Sequence, residues 1–456
     1  MSSTLGGGST PANVINREHE LALIKRAFKE LLASDKLLST PIIDFFGVDG
    51  IGKTSILYAI KEMCQAQGLL CIWIDANQHI LQLSHDLIGQ VKHRLPLKQM
   101  LATEDVYTQS VQATRDLLER EPVVVIVDSI DATNEELLQW IEAMLHDLIE
   151  DPHLFVILAS KQKLSFDSDR SLGRKLTPFQ LRPLDWRSSE SYLNTIDNKS
   201  LSESESRRFS ESKEIIFHWT RGYPLAMNAM AAAIKTGLDP QRAEHQSLLV
   251  DIIIKQVIDN SLLTRVELAE RDKRKAYLSL LSMPRRFNLV IMQELIDKFD
   301  ATLKLKSRLK YMGLPKSIDQ HIDVLDWDVR QAGYTIDEPI RNLFQLYRRI
   351  KDPASFRAIH AFLAQRNAEL AAEVSGTDRV RFLKEYLYHS AHSEDPAALA
   401  PIVSRTLERI QQEPDDAFVQ FEAEFSHDSE LQDALGQDNV ASIYAFIHHP
   451  QAQEGM

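Results

Sequence analysis

The sequence contains few cysteines and no long apolar run. Its 456 residues include only Cys64 and Cys71, too few for a disulfide framework and typical of a reducing compartment. No apolar stretch approaches the ~20 residues that a membrane span requires. The start of the chain lacks the basic-then-apolar pattern of an export signal, and its Gly/Ser/Thr-rich residues 1–12 are expected to be disordered. We therefore expect a cytoplasmic protein that does not contact membranes.

The negative charge is concentrated at one end of the chain. The net charge is −13, but thirteen acidic and only two basic residues lie from position 390 onward, so this end carries −11 and the remainder −2. Overall acidity therefore says little about whether the middle of the chain binds nucleic acid. The acidic end is interpreted either as a helical partner-binding region or as a solvated face.

Residues 47–54 combine glycines, a lysine and a threonine at a fixed spacing. They read Gly-Val-Asp-Gly-Ile-Gly-Lys-Thr, the G-x-x-x-x-G-K-T pattern of a phosphate loop, between an apolar segment and a helix-like segment. Gly47 and Gly52 allow the main chain to approach a phosphate closely, and the loop N–H groups face its oxygens. Lys53 can reach the terminal phosphates, which also makes it a catalytic candidate, and Thr54 can offer its hydroxyl to Mg²⁺. The nucleotide-binding residues predicted in this loop are Gly47, Gly50, Ile51, Gly52, Lys53, Thr54 and Ser55.

A second motif is an apolar run that ends in acids. Residues 123–127 are five consecutive β-branched residues, which predict a central strand buried on both faces, and Asp128 follows directly. In this fold such an acid lies beside the phosphate loop, so Asp128 is the predicted Mg²⁺ residue. Asp131 is the candidate general base that orients the attacking water. The alternative for Asp131 is an ordinary surface turn after a strand.

A further apolar run, residues 154–158, is followed by Ala159-Ser160-Lys161. A polar residue and a cation at a strand end could sense a γ-phosphate. The alternative is that these residues merely begin a loop or helix.

Six motifs, which follow one another along the chain in the family's order, resemble those of STAND-class P-loop ATPases, the signal-transducing relatives of AAA+ proteins that include NB-ARC and NACHT switches. Two of the six are the phosphate loop and Val123–Asp131. The other four are Asn16-Arg17-Glu18, Ser160-Lys161, Leu181–Leu184 and Gly222-Tyr223-Pro224-Leu225-Ala226. They resemble, in turn, the arginine motif that covers the base, the sensor segment (more often arginine in the family), the segment that closes the core, and the Gly-x-Pro motif. The resemblance implies that Arg17, Ser160, Lys161 and Pro224 bind the nucleotide, with the proline packed on adenine.

The resemblance also implies the domain organisation. The expected fold class is α/β: a parallel-sheet P-loop NTPase core, a small helical domain, a winged-helix domain and a short all-helical C-terminal region. The expected bounds are 13–185, 186–262, 263–350 and 351–456. Within the winged helix, residues 275–283, 288–299 and 302–311 are predicted to be helices and 323–335 a wing.

Three positions depart from the family pattern. Asp337 stands where NB-ARC relatives carry a histidine, Ser129 replaces the acid after the first aspartate, and Ala132 replaces the last acid of the NACHT pattern. Hydrolysis is therefore expected to be slow or absent.

Three functional hypotheses follow. The first is a switch in which ATP or ADP with Mg²⁺ controls domain opening, self-assembly or protein-partner binding. The second is an AAA+-like DNA-binding initiator or regulator that uses basic residues 304–316 of the winged helix; DNA is the less favoured partner. The third is a scaffold that binds nucleotide without hydrolysing it.

Overall fold

The computed structural model describes residues 17–33, 37–92, 105–131, 134–166, 169–197, 203–328 and 333–448. The predictions for residues 1–12, Asn16 and Ala132 lie outside these ranges. The chain divides into two compact units. The first consists of the described residues of Met1–His245, Lys255–Val266 and Asp319–Val324, and the second of those of Gln246–Ile254, Glu267–Ile318 and Leu325–Met456. The four predicted domain bounds remain predictions.

The first unit is built on a five-stranded parallel sheet. Its strands are β1 (Ile42–Phe46), β2 (Leu70–Asp75), β3 (Val123–Ile130), β4 (Leu154–Ser160) and β5 (Leu176–Gln180). They lie in the order β2-β3-β4-β1-β5. The side chains of Val123 to Val127 are 0–2% exposed, as expected where helices cover both faces of a parallel sheet. The α/β fold class and the predicted central strand are thus confirmed.

Strand β5 was not predicted from the sequence. It contains Pro178, which cannot donate a ladder hydrogen bond and is unusual inside a sheet. The strand tolerates this proline because β5 is an edge strand, paired only with β1.

The first unit also contains the following helices. They are α1 (Glu18–Ala33), α2 (Lys53–Gln67), α3 (Ile80–Lys92), α4 (Val106–Leu118), α5 (Glu135–Leu148), α6 (Arg170–Lys175), α7 (Trp186–Asp197), α8 (Glu203–Thr220), α9 (Pro224–Lys235) and the start of α10 (Ala243–Ile254). A π-helix, Lys255–Leu262, follows α10. Helix α5 shows why these segments fold: the Asn134 side chain caps its first turn, and Leu137, Ile141 and Leu145 bury one face at helical spacing.

The second unit opens with a winged-helix-type arrangement. It comprises α11 (Leu268–Leu281), α12 (Leu289–Phe299), a 3₁₀ turn (Ala301–Leu303), α13 (Arg308–Met312), α14 (Leu314–Asp319) and the antiparallel hairpin of β6 (Leu325–Asp328) and β7 (Gly333–Ile336). The backbone of Phe287 pairs with that of Tyr334, which adds a third segment to the hairpin.

The third predicted helix, 302–311, is wrong in extent. The Asp300 side chain caps the 3₁₀ turn, and residues 304–307 are not helical. Helix α13 then ends at Gly313. The extended backbone at Lys304 and Ser307 therefore splits one apparent helical segment into two short pieces.

The rest of the second unit is helical. Its helices are α15 (Glu338–Lys351), α16 (Pro353–Glu373), α17 (Gly376–Ser393), α18 (Pro396–Gln411), α19 (Asp415–His427), α20 (Ser429–Leu435) and α21 (Gln437–His448). A core of leucines and aromatic residues, including Phe421 and Phe425, holds the last five together. Among the described helices of both units, none is at once long and apolar enough to cross a membrane.

Four acids of the C-terminal end form internal ion pairs. The pairs are Glu413–Arg379 at 2.6 Å, Glu424–Lys384 at 2.6 Å, Asp428–Arg285 at 2.8 Å and Glu430–Arg341 at 2.6 Å. Neither sequence interpretation of the acidic end, partner binding or a solvated face, accounts for these four residues. Their acidity instead balances arginines and lysines of the same unit.

Candidate nucleotide-binding site

A cavity of about 540 Å³ lies within the first unit, at the carboxyl ends of the central strands. This volume is in the usual range for small-molecule sites. Ten of the residues predicted from the sequence line it: Gly50, Gly52, Lys53, Thr54, Ser55, Asp128, Asp131, Ser160, Lys161 and Pro224. The P-loop, the acidic strand end and the Gly-x-Pro segment therefore meet around one cavity.

The phosphate loop has the backbone that its glycines predict. Gly47, Gly50 and Gly52 all have positive φ, which L-residues with side chains rarely adopt. A Cβ on Gly50 would also lie 2.5 Å from the Cβ of Leu225, the second residue of α9. The loop is thus shaped both by its own dihedral angles and by the close approach of α9.

Lys53 begins helix α2 and folds back over the loop. Its ammonium donates hydrogen bonds to the carbonyl oxygens of Gly47 at 2.5 Å and Val48 at 3.1 Å, and it lies 3.8 Å from the Asp49 carboxylate. Asp49 also pairs with Lys161 at 2.7 Å. Two cations from different elements therefore border the same part of the cavity, where they can bind phosphate oxygens.

Asp128 is positioned by a bulge in β3. The β3–β4 register shifts between Val127 and Ile130, and Ser129 has a φ of 66°. Bulges of this kind redirect a side chain beside a functional site. The Thr54 hydroxyl lies 3.5 Å from Oδ1 of Asp128, and burial raises the pKa of the Asp128 carboxyl.

These two oxygens fit the requirements of Mg²⁺. The ion favours oxygen ligands and keeps several positions for water and phosphate. Among the described residues, no group of three or more His, Cys, Asp or Glu could hold a metal alone. Thr54 and Asp128 can therefore supply only part of a coordination shell, and phosphate oxygens and water would complete it.

Asp131 lines the cavity, but its carboxylate is engaged. It forms an ion pair with Arg265, from the turn after the π-helix, and the other terminal nitrogen of Arg265 lies 3.5 Å from Oδ1 of Asn77. Sequence reasoning missed Arg265, because no local pattern marks an arginine whose partner is 134 residues away.

Ser160 has a structural partner. Its side chain is fully buried, and its hydroxyl contacts Asp44 and the carbonyl of Gln162, both at 2.7 Å. Of the predicted sensor pair Ser160 and Lys161, only Lys161 places a charged group beside the phosphate loop, where it pairs with Asp49.

Arg17, Gly47 and Ile51 do not line the cavity. Arg17 is 7% exposed, donates to the Ile51 carbonyl at 3.0 Å and pairs with Glu20 at 3.2 Å. The arginine of the predicted base-covering motif therefore holds the back of the phosphate loop.

The Gly-x-Pro segment packs directly on the loop. The Tyr223 hydroxyl donates to the carbonyl of Asp49, and Pro224 begins helix α9, where its missing N–H costs nothing. Gly222 has a φ of 73°, and a Cβ there would lie 1.8 Å from the carbonyl oxygen of Leu184. The segments 181–184 and 222–225, predicted separately, thus pack against each other, and Pro224 and Leu225 of the second segment line the cavity.

Residues beyond the predicted set complete the cavity. They are Asp49, Asn77, Ser129, Ile130, Tyr192, Leu225, Asn228, Asn260, Ser261, Thr264 and Arg265. Most come from α7, α9 and the π-helix region, whose approach to the loop depends on tertiary structure.

No protein-family model matches the chain, and no curated protein matches it. It is similar to the solved structure of the Aeropyrum pernix ORC2 protein in ADPNP and ADP complexes, with 14% identity, 78% of this chain and 97% of that chain covered, and a TM-score of 0.45. It is also similar to Aeropyrum pernix ORC1 in complex with DNA (17% identity, 76% and 95% covered, TM-score 0.38) and to AMPPCP-bound DnaA from Aquifex aeolicus (16% identity, 77% and 100% covered, TM-score 0.36).

Identities of 14–17% and TM-scores of 0.36–0.45 are too low to carry an argument about ligands or partners. None of the three is a STAND protein, so the resemblance to that class stays a prediction.

Proposed function

We propose that this protein binds Mg-ATP and ADP in the 540 Å³ cavity and acts as a nucleotide-controlled switch. The observation that carries the proposal is the meeting of Lys53, Asp128 and Pro224 around one cavity, although the three lie on separate elements. Each brings the chemistry that one part of a nucleotide requires: a cation for phosphate, an acid for the metal shell and an apolar surface for the base.

The roles of the residues follow from their positions. The loop N–H groups and Lys53 bind the β- and γ-phosphates, and Lys161 adds a second cation beside them. Thr54 and Asp128 would hold Mg²⁺, which when bound neutralises charge on the phosphates. Asp131 is the base that would orient water, and its carboxylate pairs with Arg265 in this structure.

A binding experiment tests the proposal. Lys53→Ala removes a charge-assisted contact to phosphate, so we expect ATP and ADP affinity to fall at least about tenfold. Lys25→Ala, an exposed lysine on α1, is the matched control and should leave affinity unchanged. Equally weak binding by wild type and Lys53→Ala would refute nucleotide binding at this cavity.

The switch itself needs a second measurement. The mass of the purified protein in solution, with ADP and then with a non-hydrolysable ATP analogue, should differ if the triphosphate promotes assembly. Phosphate release by wild type and Asp131→Ala separates a slow ATPase from a non-hydrolysing scaffold: release that depends on Asp131 supports the ATPase.

A second candidate is a DNA-binding, initiator-like regulator. Five basic side chains on and around α13 are all exposed: Lys304, Lys306, Arg308, Lys310 and Lys316. Exposed cations on the third helical segment of a winged-helix domain are suited to phosphate contacts. This arrangement of charge, rather than any likeness to solved structures, is what favours the candidate.

The test of this candidate is salt-dependent binding to duplex DNA. Reversing Lys306, Arg308 and Lys310 to glutamate should abolish the affinity and reduce its salt dependence, whereas Arg405→Glu, an exposed arginine on α18, should not. Absence of binding by wild type at low salt would remove the candidate.

A further inference from the structure

The cavity contains one arginine that the sequence motifs do not explain. Arg265 lies in a turn at the end of the π-helix, where the N–H of Leu263 donates to the carbonyl of Ile258, five residues earlier, at 2.8 Å. π-Helical segments are rare and frequently occur at functional sites. Here the segment and the turn after it contribute Asn260, Thr264 and Arg265 to the cavity wall.

Arg265 is paired with the residue proposed as the base. Its guanidinium contacts the Asp131 carboxylate through one terminal nitrogen and approaches Asn77 through the other. A carboxylate oxygen that already accepts from an arginine is less able to accept a proton from water. The pair therefore opposes the catalytic role of Asp131 as long as it is intact.

We propose that Arg265 is a latch that responds to the terminal phosphate: it holds Asp131 when the γ-phosphate position is empty, and it transfers to that phosphate when a triphosphate enters the cavity. This inference rests on the proposed function and specifies the regulation of the same site. Asp131 is released only in the triphosphate state, so Arg265 is a positioning residue for the base as well as a γ-phosphate contact.

Magnitudes favour this transfer. The Arg265 side chain is 43% exposed and that of Asp131 is 24% exposed. Ion pairs this open to water contribute little to stability, so the latch opens at small cost. A terminal phosphate carries more charge than a carboxylate, offers three oxygens and matches the planar guanidinium fork, so it is the stronger partner for Arg265.

The two cationic lysines beside the loop are less suited to this discrimination. Lys53 bonds to loop carbonyls, and Lys161 pairs with Asp49 of the loop itself. Both belong to the part of the site that would contact a diphosphate as well as a triphosphate. Arg265 comes from the turn after the π-helix, and it pairs with Asp131, the proposed base.

The experiment compares affinities for a non-hydrolysable ATP analogue and for ADP, measured by titration calorimetry with Mg²⁺ on the full chain. Arg265→Gln should weaken binding of the ATP analogue at least about tenfold and leave ADP binding within about twofold. Arg265→Lys should restore part of the preference for the triphosphate. Lys255→Gln, an exposed lysine at the start of the same π-helix, is the matched control and should change neither affinity.

Asp131→Asn provides the sharper readout. Removing the carboxylate frees Arg265 from its competing partner, so the ATP analogue should bind several-fold more tightly while ADP affinity stays unchanged. A merely structural ion pair would predict no tightening. In the double variant Asp131→Asn/Arg265→Gln the gain should disappear, because the residue that delivers it is absent.

The outcomes separate the latch from the proposed function. Wild type that binds nucleotide through Lys53, with an unchanged ratio of triphosphate to diphosphate affinity in Arg265→Gln and Asp131→Asn, would overturn the latch alone. Wild type that binds neither nucleotide would overturn the proposed function, and the latch with it. Retained tightening in the double variant would also contradict the latch, since the gain would then not pass through Arg265.

Discussion

Asp44 is a fully buried acid in the strand that leads into the phosphate loop. It accepts hydrogen bonds from the Ser160 hydroxyl at 2.7 Å and from the N–H of Leu164 at 3.0 Å. Burial is the largest influence on this carboxyl and raises its pKa to about 6, against the opposing effect of these hydrogen bonds. The folded protein therefore binds a proton more tightly at Asp44 than the unfolded chain does.

The sign of the resulting pH dependence is set by that raised pKa. The contribution of Asp44 to stability is greatest below about pH 4, where its carboxyl is largely neutral in both states, and is lost as the pH rises through about 6. Asp44→Asn removes this loss. Since one pKa unit corresponds to about 1.4 kcal/mol, we expect a gain of up to about 3 kcal/mol in unfolding free energy at pH 8 and little change near pH 4.

The hydrogen bonds can survive this substitution. The asparagine oxygen can accept from Leu164 while its NH₂ donates to Ser160, whose hydroxyl then donates to the Gln162 carbonyl at 2.7 Å. Urea unfolding at the two pH values is the measurement, with the exposed Glu119→Gln as the control. A variant that is less stable than wild type at pH 8 would contradict the prediction.

Single residues were predicted from the sequence where local pattern determined their place. Lys53, Thr54 and Asp128 follow from motif spacing and the end of a strand. Arg265 and the bond between Asp44 and Ser160 could not be predicted, because each depends on a partner more than a hundred residues away. The structure likewise gives Ser160 a buried bond to Asp44, which its sensor-like position in the sequence did not indicate.

At the scale of elements, the contact between the core and helix α9 depends on one glycine. The N–H of Leu184 donates to the carbonyl oxygen of Gly222 at 2.9 Å. A Cβ on Gly222 would lie 1.8 Å from the carbonyl oxygen of Leu184. The neighbouring Tyr223 and Leu225 contact the phosphate loop. The position of this glycine therefore governs how α9 closes one side of the cavity.

Two matched glycines separate backbone strain from steric exclusion. Gly222 and Gly68 have φ of 73° and 70°, so alanine incurs similar left-handed strain of about 1 kcal/mol at both. A Cβ on Gly68 meets nothing within 4 Å. We expect Gly222→Ala to lower the unfolding free energy by at least about 2 kcal/mol more than Gly68→Ala, and to weaken nucleotide binding as well.

Thermal unfolding and nucleotide titration of the two variants check this prediction. Equal destabilisation by both substitutions would mean that the backbone around Leu184 moves at little cost to accommodate the added methyl group. Weakened nucleotide binding by Gly68→Ala would point to a general effect of alanine at these glycines.

Elements were predictable where apolar periodicity was strong and sequence-local. The strand at 123–127 and the helix after the phosphate loop are of this kind. The edge strand β5 was missed because Pro178 argues against a strand until its edge position is known. The single helix predicted at 302–311 failed because the backbone is extended at Lys304 and Ser307, between the 3₁₀ turn and α13.

At the scale of the whole molecule, the acidity of the C-terminal end has an internal cause. Arg341 is buried and pairs with Glu430, and the Arg285 side chain, 10% exposed, pairs with Glu385 and Asp428. Buried arginines without such partners would be strongly destabilising, so part of the negative charge at the end of the chain compensates for positive charge earlier in the same unit. Net charge by sequence region could not show this, because the pairs join residues about 90 to 140 positions apart.

Three histidines lie close to these ion pairs. His360 on α16 and His389 on α17 face each other with their Nδ1 atoms 2.9 Å apart, and the His392 ring packs at a tilt against that of His360 with centroids 4.8 Å apart. The charged and titratable groups that surround them are Tyr388 on α17, Arg341 and Arg349 on α15, Glu430 on α20, and Arg285. Burial first, together with the adjacent cationic and histidine groups, holds the pKa of all three histidines below the usual 6.5, to about 4 for His392.

This cluster predicts acid sensitivity of the second unit. Below pH 6.5 the unfolded chain binds protons at these histidines and the folded unit does not, so stability is full above about pH 6.5 and falls toward pH 4. Each histidine adds up to about 1.4 kcal/mol of lost stability per pH unit within that window. Carboxylates with ordinary pKa values contribute mainly below pH 5, and Asp44, whose pKa is about 6, belongs to the first unit. Between pH 7 and pH 5 the stability of the second unit therefore reports mainly on its histidines.

The protein is equilibrated in urea at several pH values between 7 and 5. A hydrogen-exchange pulse at one fixed pH then labels the unfolded molecules, and the label on peptides of α16 and α17 gives the unfolded fraction of the second unit. His392→Gln should reduce the slope of stability against pH by about a third, since one of three comparable groups no longer titrates. His427→Gln, an exposed histidine on α19, should leave the slope unchanged. A wild-type slope near zero, or an unaltered slope in His392→Gln, would show that these buried histidines do not set the acid stability of the unit.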